Sequence, residues 1–479
     1  MFEILKSDTM GRYLTAVKLI KPGELIINEM PLVIGPPMHN SPFCLGCNQK
    51  VDFSSEQYRC PGCRWPLCGP DCKGINNEIG HSKQECSILT ERNIINSIEK
   101  SHGNRLKAIH EVIFHLRCLY LKHSHKDKWE KLQALEAHND LRKDIPMLWY
   151  RNQFRIVNQI REDWNITDFS EEEIHTVCGI IKVNCFGVGR EGIRGRSLYP
   201  TTSLLAHDCS PNARIILDSN DYSVSVSASR DIKEGEIITI SYVDIFMSTL
   251  QRRDELKNAK FFWCSCQRCS DPTEFDTFCN ALRCPKCSKS SVLPTDPLDQ
   301  KAPWRCTNCS HIMDADVVAA ILVLLPEELG TFDINDVASH KKFIERYSKI
   351  LGDNHYFLLS AKYAICQAKC SNSTPTSFLE NKEKYCREIL KVMELLVPGQ
   401  SRVKGIIMFE LYFTLMLLSA KKMQTDQITK KEFRNTMRNA IGLLEESEEI
   451  LRWEPEGTAS RKKAEEAKAI LLQLKCDRP

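Results

Sequence analysis

The chain has 479 residues, 27% of them charged, and a formal net charge of only +3. That length allows two to four domains with sizeable cores. The near-neutral balance gives no overall electrostatic case for nucleic acid, so none is expected as a partner. No apolar leader precedes the first charges in Phe2-Glu-Ile-Leu-Lys6. The most apolar run, Gly405 to Ala420, carries Glu410 and falls short of a membrane span, so it reads as a buried helix. An intracellular protein is expected, in cytoplasm and nucleus, with no membrane association. In such a compartment its 23 cysteines point to metal rather than disulfides.

Residues 1–35 read as strands around a turn. Gly11-Arg12-Tyr13-Leu14 precedes the turn signal Lys21-Pro22-Gly23-Glu24, and Leu25 to Ile34 is β-rich. The segment Ile20-Lys-Pro-Gly-Glu-Leu-Ile-Ile27 has a near copy in Ile232-Lys-Glu-Gly-Glu-Ile-Ile-Thr239. Such a pair suggests one β domain interrupted by insertions; two unrelated hairpins are the alternative.

The first insertion holds Cys44, Cys47, Cys60, Cys63, Cys68, Cys72, His81 and Cys86. Eight ligands at these spacings suit two tetrahedral zinc ions. A short segment containing Pro61, Pro66 and Pro70 cannot build an apolar core, so metal must supply folding energy. The arrangement resembles a MYND finger. That resemblance implies interleaved ligands: Cys44, Cys47, Cys68 and Cys72 on one ion, and Cys60, Cys63, His81 and Cys86 on the other. The family usually ends H-x3-C, whereas this chain reads His81-Ser-Lys-Gln-Glu-Cys86. A finger with few lysines and arginines is expected to take a proline-rich peptide; a purely structural role stays open.

Helical periodicity marks Asn93 to Tyr120 and Lys126 to Arg161. His110, His115, His123, His125 and His138 lack paired ligand spacing and read as core or surface residues. Ser170 with Glu173 is a capping box that opens a helix running toward Asn184. Gly187 to Gly195 is glycine-rich but lacks a strand–turn–helix phosphate context, and reads as a mobile loop. Next comes Ser203-Leu-Leu-Ala-His-Asp-Cys-Ser-Pro-Asn212, and later the strand-like run Glu236 to Tyr242. Cys209 with Cys264, Cys266 and Cys269 supplies four thiolates, enough for one closed zinc site. Such an ion would tie the segment after Tyr242 back onto the central stretch.

These motifs together resemble a SET domain with its post-SET zinc site. With the finger inserted after the first strands, the chain is identified as a member of the SET and MYND (SMYD) family of protein-lysine methyltransferases, in the arthropod SmydA-like branch. The resemblance implies S-adenosylmethionine as methyl donor and a lysine-containing protein, histone or non-histone, as substrate. Tyr242 is implied as the catalytic tyrosine. Gly11, Arg12, Tyr13, Asn184, Leu205, Ala206, His207, Tyr242 and Phe262 are implied to contact the donor. The chemistry requires a neutral amine, and a narrow apolar channel favours that form by desolvation. The chain departs from the family at Tyr13, where glycine is usual, and at Ala206, where asparagine is usual. Lys260 stands near where an aromatic residue often lines the lysine channel.

Cys284, Cys287, Cys306 and Cys309 form a zinc-ribbon pattern. Beyond it, helices are expected at Ala315–Leu325, Asp336–Leu351, His355–Cys370, Ser377–Leu396, Val403–Ala420, Lys430–Glu449 and Thr458–Leu474, in a TPR-like stack without a clean repeat. Pro326 and Pro398 mark turns. The remaining cysteines (118, 178, 185, 279, 366, 370, 386, 476) read mostly as small buried hydrophobes. The expected class is a multidomain α+β protein: SET N-terminal part (1–43), MYND finger (44–86), helical insertion (87–178), SET core (179–250), post-SET zinc (251–272), zinc ribbon (279–312) and helical domain (313–479). About four zinc ions and a monomer are expected. A role as transcriptional or chromatin regulator follows from the resemblance. The alternative is a catalytically weak or inactive adaptor that holds partners through the finger and helical domain.

Overall fold

The computed structural model describes residues 1–39, 41–54, 56–100, 105–189, 195–218, 220–333 and 336–476. The chain opens with the antiparallel hairpin β1 (Phe2–Ser7) and β2 (Gly11–Ala16). Next come β3 (Leu25–Glu29) and β4 (Val33–Gly35). The expected β-rich run is interrupted around Pro31, which has no amide to give a ladder.

The partners of these strands come much later: β5 (Phe186–Val188), β6 (Gly195–Leu198), β7 (Ala206–His207), β8 (Ala213–Leu217), β9 (Val224–Ala228) and β10 (Thr239–Ile240). Strand β9 lies between β3 and β8, β6 lies between β4 and β5, and β7 runs parallel to β10. One β domain is therefore assembled from both sides of the insertions. The repeated turns sit side by side, with Ile20 and Ile232 forming an antiparallel bridge. Each turn is closed the same way: Lys21 N donates to Glu24 Oε2 at 2.8 Å, and Lys233 N to Glu236 Oε2 at 3.0 Å. Gly23 and Gly235 hold φ of +81° and +78°, a region where L side chains are strained.

The strand expected over Glu236–Tyr242 is shorter than its composition suggests. Only Thr239–Ile240 forms a ladder, and Ile237 bridges Thr15. Asn212 accounts for this, because its side chain stands in for a neighbouring strand. Its Nδ2 donates to the Ile237 carbonyl and its Oδ1 accepts from Thr239 N, both at 2.8 Å.

The insertion carries α1 (Lys83–Glu91), α2 (Ile94–Lys100), α3 (Leu106–Ser124), α4 (Lys126–Gln133), α5 (Asn139–Lys143), α6 (Pro146–Asn152) and α7 (Glu171–Asn184). The helix expected over Lys126–Arg161 is thus broken after α4 and again before Pro146. Proline opens α6 in the first turn, where its missing amide is harmless. The backbone then widens into π turns at Gln153–Val157 and Gln159–Asp163. Ser170 and Glu173 form the expected capping box at the start of α7. Part of the Asn93–Tyr120 helix (101–104) and most of the glycine-rich excursion (190–194) lie outside the described residues.

The finger is not an isolated knob. Trp65 is buried and donates Nε1 to the Phe43 carbonyl at 2.8 Å, and the finger shares one apolar core with α3 and α7. Arg117 of α3 joins three pieces of chain. It donates to the Ile34 carbonyl of β4, to the Leu45 carbonyl of the finger, and to Glu85 of α1.

After β10 come α8 (Thr249–Lys260) and α9 (Gln267–Ser270). A four-stranded ribbon follows: β11 (Leu282–Arg283), β12 (Ser291–Pro294), β13 (Trp304–Cys306) and β14 (Ile312–Met313). The last region holds α10 (Ala315–Leu322), α11 (Leu325–Gly330), α12 (Val337–Tyr347), α13 (Tyr356–Cys366), α14 (Thr376–Leu396), α15 (Arg402–Gln424), α16 (Lys430–Leu451) and α17 (Ala459–Cys476). Pro326 does not simply end a helix; it sits in the first turn of α11. Consecutive helices α12 to α17 pack on one another. Helix α15 is long and apolar enough to cross a membrane, yet 72% of its apolar window is buried against its neighbours, the pattern of a core helix. The β domain meets this stack where Arg214 Nη1 donates to the Ile450 carbonyl at 3.0 Å, and where Gln400 N donates to the Ser229 carbonyl at 2.7 Å.

Candidate active site and metal centres

Four groups of side chains converge, each with its ligand atoms within 4.8 Å of one another: Cys44, Cys47, Cys68, Cys72; Cys60, Cys63, His81, Cys86; Cys209, Cys264, Cys266, Cys269; and Cys284, Cys287, Cys306, Cys309. The first two show the interleaved order. Zinc holds thiolates at roughly 2.3 Å, so tetrahedral geometry places two sulfurs about 3.8 Å apart. The sulfurs here meet that requirement: 3.8 Å for Cys44–Cys72, 4.0 Å for Cys209–Cys264, and 3.8 Å for Cys287–Cys306. Disulfide bonding, with sulfurs near 2.05 Å, does not fit. Tetrahedral clusters of thiolate with one imidazole are the donor sets zinc prefers.

The surroundings of the ligands are also ordered. His81 turns Nε2 toward Cys60 and Cys63, and its Nδ1 meets Glu85 at 2.7 Å. Glu85 is held in turn by Arg117, the carboxylate relay that fixes an imidazole ligand's orientation. Burial alone would push the Glu85 carboxyl up, but Arg117 and His81 keep it below the usual carboxylate range. Behind the third cluster lies Glu274, fully buried with Arg252 at 3.1 Å and Arg268 at 2.6 Å. Arg268 also donates to the Cys209 carbonyl, and Arg252 reaches Cys269 Sγ at 3.6 Å. With zinc bound, these guanidinium groups would offset the negative charge of the four thiolates.

The third cluster leads directly into the candidate active site. His207 Nε2 lies 3.3 Å from Cys209 Sγ, and its Nδ1 accepts from Tyr242 N at 3.0 Å. The His207 ring is 5.2 Å from that of Tyr242 and 6.1 Å from that of Phe262. The Tyr242 hydroxyl donates to the Leu205 carbonyl. Burial pushes this phenol up to about 12, so it stays a donor at neutral pH. Ala206 pairs with Thr239 in the parallel ladder, which sets Leu205 and His207 on either side of it. Ser203 Oγ donates to the Asn184 carbonyl at 3.5 Å, bringing the end of α7 to the same place.

The loop after α4 completes the surround. Asn184 Nδ2 donates to the Glu136 carbonyl at 2.8 Å, and Arg12 donates to the Ala134 carbonyl. Arg12 thus borders the site through this loop, with Gly11 and Tyr13 as its neighbours on β2 and Gly11 at φ +67° with no atom within 4 Å of where its Cβ would stand. Asn184, Leu205, Ala206, His207, Tyr242 and Phe262 are brought together directly. Two further residues take part, of which the sequence pointed only to Lys260. His138 packs its ring 5.5 Å from Phe261, yet carries no motif that would single it out. Lys260, the last residue of α8, lays its Nζ 5.1 Å from the Tyr242 ring centroid and donates to the Val183 carbonyl. Its position before the cysteine triplet was a signal; its contact with Tyr242 was not.

Residues 11–243 match the family model of the SET domain. Over 431 residues the chain is 25% identical to the SET domain-containing protein SmydA-8, isoform B, of Drosophila melanogaster, covering 86% of this chain and 90% of that protein. It is 26% identical over 319 residues to the histone-lysine N-methyltransferase ASHR1 of Arabidopsis thaliana, covering 62% of each. Over 273 residues it is 25% identical to the histone-lysine N-methyltransferase SMYD3 of Homo sapiens, covering 54% of this chain and 59% of that one.

Proposed function

We propose that this SmydA-like protein with SET and MYND domains transfers a methyl group from S-adenosylmethionine to a lysine side chain of a partner protein. The observation that carries this reading is the Tyr242 hydroxyl meeting the Leu205 carbonyl, with His207, Asn184 and Phe262 around them. The donor would be held by Asn184, the 205–207 strand, Phe262 and the Gly11–Tyr13 turn, and it would supply an activated methyl on a sulfonium. Methyl transfer needs a neutral amine, a dry channel and alignment. Burial around Tyr242 supplies the dry environment. The protonated phenol and the Leu205 carbonyl form a fixed polar pair against which a small polarised group can be oriented. His207 holds the Tyr242 backbone, so the phenol's position depends on the zinc-tied segment rather than on a free loop.

The substrate is a lysine-bearing protein, histone or otherwise, and the finger would hold a proline-rich partner segment. Transcriptional or chromatin regulation, in cytoplasm and nucleus, is the setting we infer from the family resemblance. A second reading, a non-catalytic adaptor, draws support from Ala206, which offers the donor no side-chain hydrogen bond.

Calorimetric titration of the purified protein with S-adenosylmethionine, followed by methyl transfer to mixed protein extracts, tests the choice. Catalysis predicts binding, and transfer that Tyr242→Phe reduces on the order of a hundredfold, the size of one positioned proton-donating group. An absence of donor binding rules out the enzyme and leaves the adaptor.

A further inference from the structure

We propose that Lys260 is a specificity-determining residue of this site: its ammonium occupies the cation position on the Tyr242 ring, so the pocket disfavours a second positive charge beside it. The inference rests on the methyl-transfer reading and adds to it which charge states the site accepts.

Three observations hold Lys260 in place. Its Nζ stands over the Tyr242 ring at 5.1 Å, within the range of a cation–π contact. It donates to the carbonyl of Val183, in the last turn of α7, where the helix dipole favours a cation. Its backbone is fixed at the end of α8 by Phe261, which takes a left-handed φ of +66° and packs on His138. This is not a surface lysine swinging in solvent. Among the described residues no carboxylate pairs with it, so its charge is not cancelled locally. Desolvation lowers its pKa, and the nearby Lys182 acts in the same direction.

A sulfonium and a protonated acceptor lysine both carry +1, and either would have to sit near this charge. In a protein medium, like charges roughly 10 Å apart disfavour each other by on the order of tenfold in affinity. A neutral thioether of the same nucleoside framework escapes that penalty. An acceptor amine is likewise favoured in its unprotonated form, the form that can attack. Lys260 therefore weakens holding of the charged donor and of a protonated acceptor, while the neutral partners are spared.

The test compares calorimetric affinities for S-adenosylmethionine and S-adenosylhomocysteine, identical but for the methyl and its charge. Wild type, Lys260→Met, Lys260→Gln and Lys260→Arg are measured. The preference for the neutral compound should fall about tenfold in the Met and Gln variants and persist in the Arg variant. An unchanged preference in the Met and Gln variants overturns the inference alone, as does an equal change in all three. Failure of both compounds to bind any of the four proteins overturns the methyl-transfer reading, and this inference with it.

Discussion

Tyr242 N donates to His207 Nδ1, while His207 Nε2 lies against Cys209 Sγ. An Nδ1 that accepts leaves the proton on Nε2, facing the sulfur, so the neutral tautomer is fixed by its two neighbours. One imidazole thus joins a metal ligand to the tyrosine that the site is built around.

Replacing that imidazole tests the link. His207→Ala leaves the Tyr242 amide without its partner and opens a gap beside Cys209. A loss of about 1–3 kcal/mol in unfolding free energy is expected, the range for an orphaned buried donor. Denaturant unfolding measures it. Zinc content should stay at the level of the parent, because all ligands remain.

Metal stoichiometry checks the four clusters. Elemental analysis of the purified protein should give about four zinc ions per chain. Cys209→Ser should lower the count by one and reduce donor affinity, since the same ion ties α9 to the central stretch. Cys306→Ser should also lower the count by one but leave donor affinity unchanged, because the ribbon's cluster lies apart from Tyr242 in sequence and core.

Glu274 predicts an acid limit to stability. Burial alone would raise its pKa, but Arg268 and Arg252 outweigh that and hold it below the ordinary value. A lowered folded-state value contributes stability above the unfolded pKa, near 4.3, and that contribution is lost as pH falls through the folded value. Thermal midpoints should be flat in this respect from pH 7 to about 5 and drop below pH 4. Glu274→Gln leaves two buried guanidinium groups uncompensated and should cost about 3–5 kcal/mol at pH 7.

Ala206 offers a gain rather than a loss. Ala206→Asn, placed between Leu205 and His207 on the parallel ladder, adds a side-chain amide beside the donor site. One added hydrogen bond of about 0.5–1.5 kcal/mol corresponds to roughly a 2- to 13-fold tighter Kd for S-adenosylmethionine, read by calorimetry.

Metal ligands were the most legible part of this chain. Thiolate spacing is a local code, and every one of the sixteen ligands lies in a convergent cluster. The repeated turns were legible too, because Gly23 and Gly235 answer a backbone demand that shows in any sequence. The stretch before Tyr242 was less so. Its composition favours a full strand, yet Asn212, a distant side chain, supplies the partners that a strand would. The break after α4 was missed for a similar reason. Periodicity continues through 134–138, but the Ala134 and Glu136 carbonyls are taken by Arg12 and Asn184, whose tertiary contacts override local pattern. Lys260 was visible as a residue out of place and invisible as a neighbour of Tyr242, since that contact needs α8 to fold against α7.

Splitting the β domain around its insertions has a consequence for biosynthesis. Glu29 of β3 finds Thr202 only after a separation of 173 residues. At a synthesis rate of roughly 5–20 residues per second, the first strands wait on the order of ten seconds or more for their partners. The finger and α3 emerge within that interval and can close on local ligands. Zinc delivered to the nascent chain would therefore organise the insertion first. The unpaired edges of β3 and β4 are meanwhile the surface that a ribosome-associated chaperone has most reason to cover.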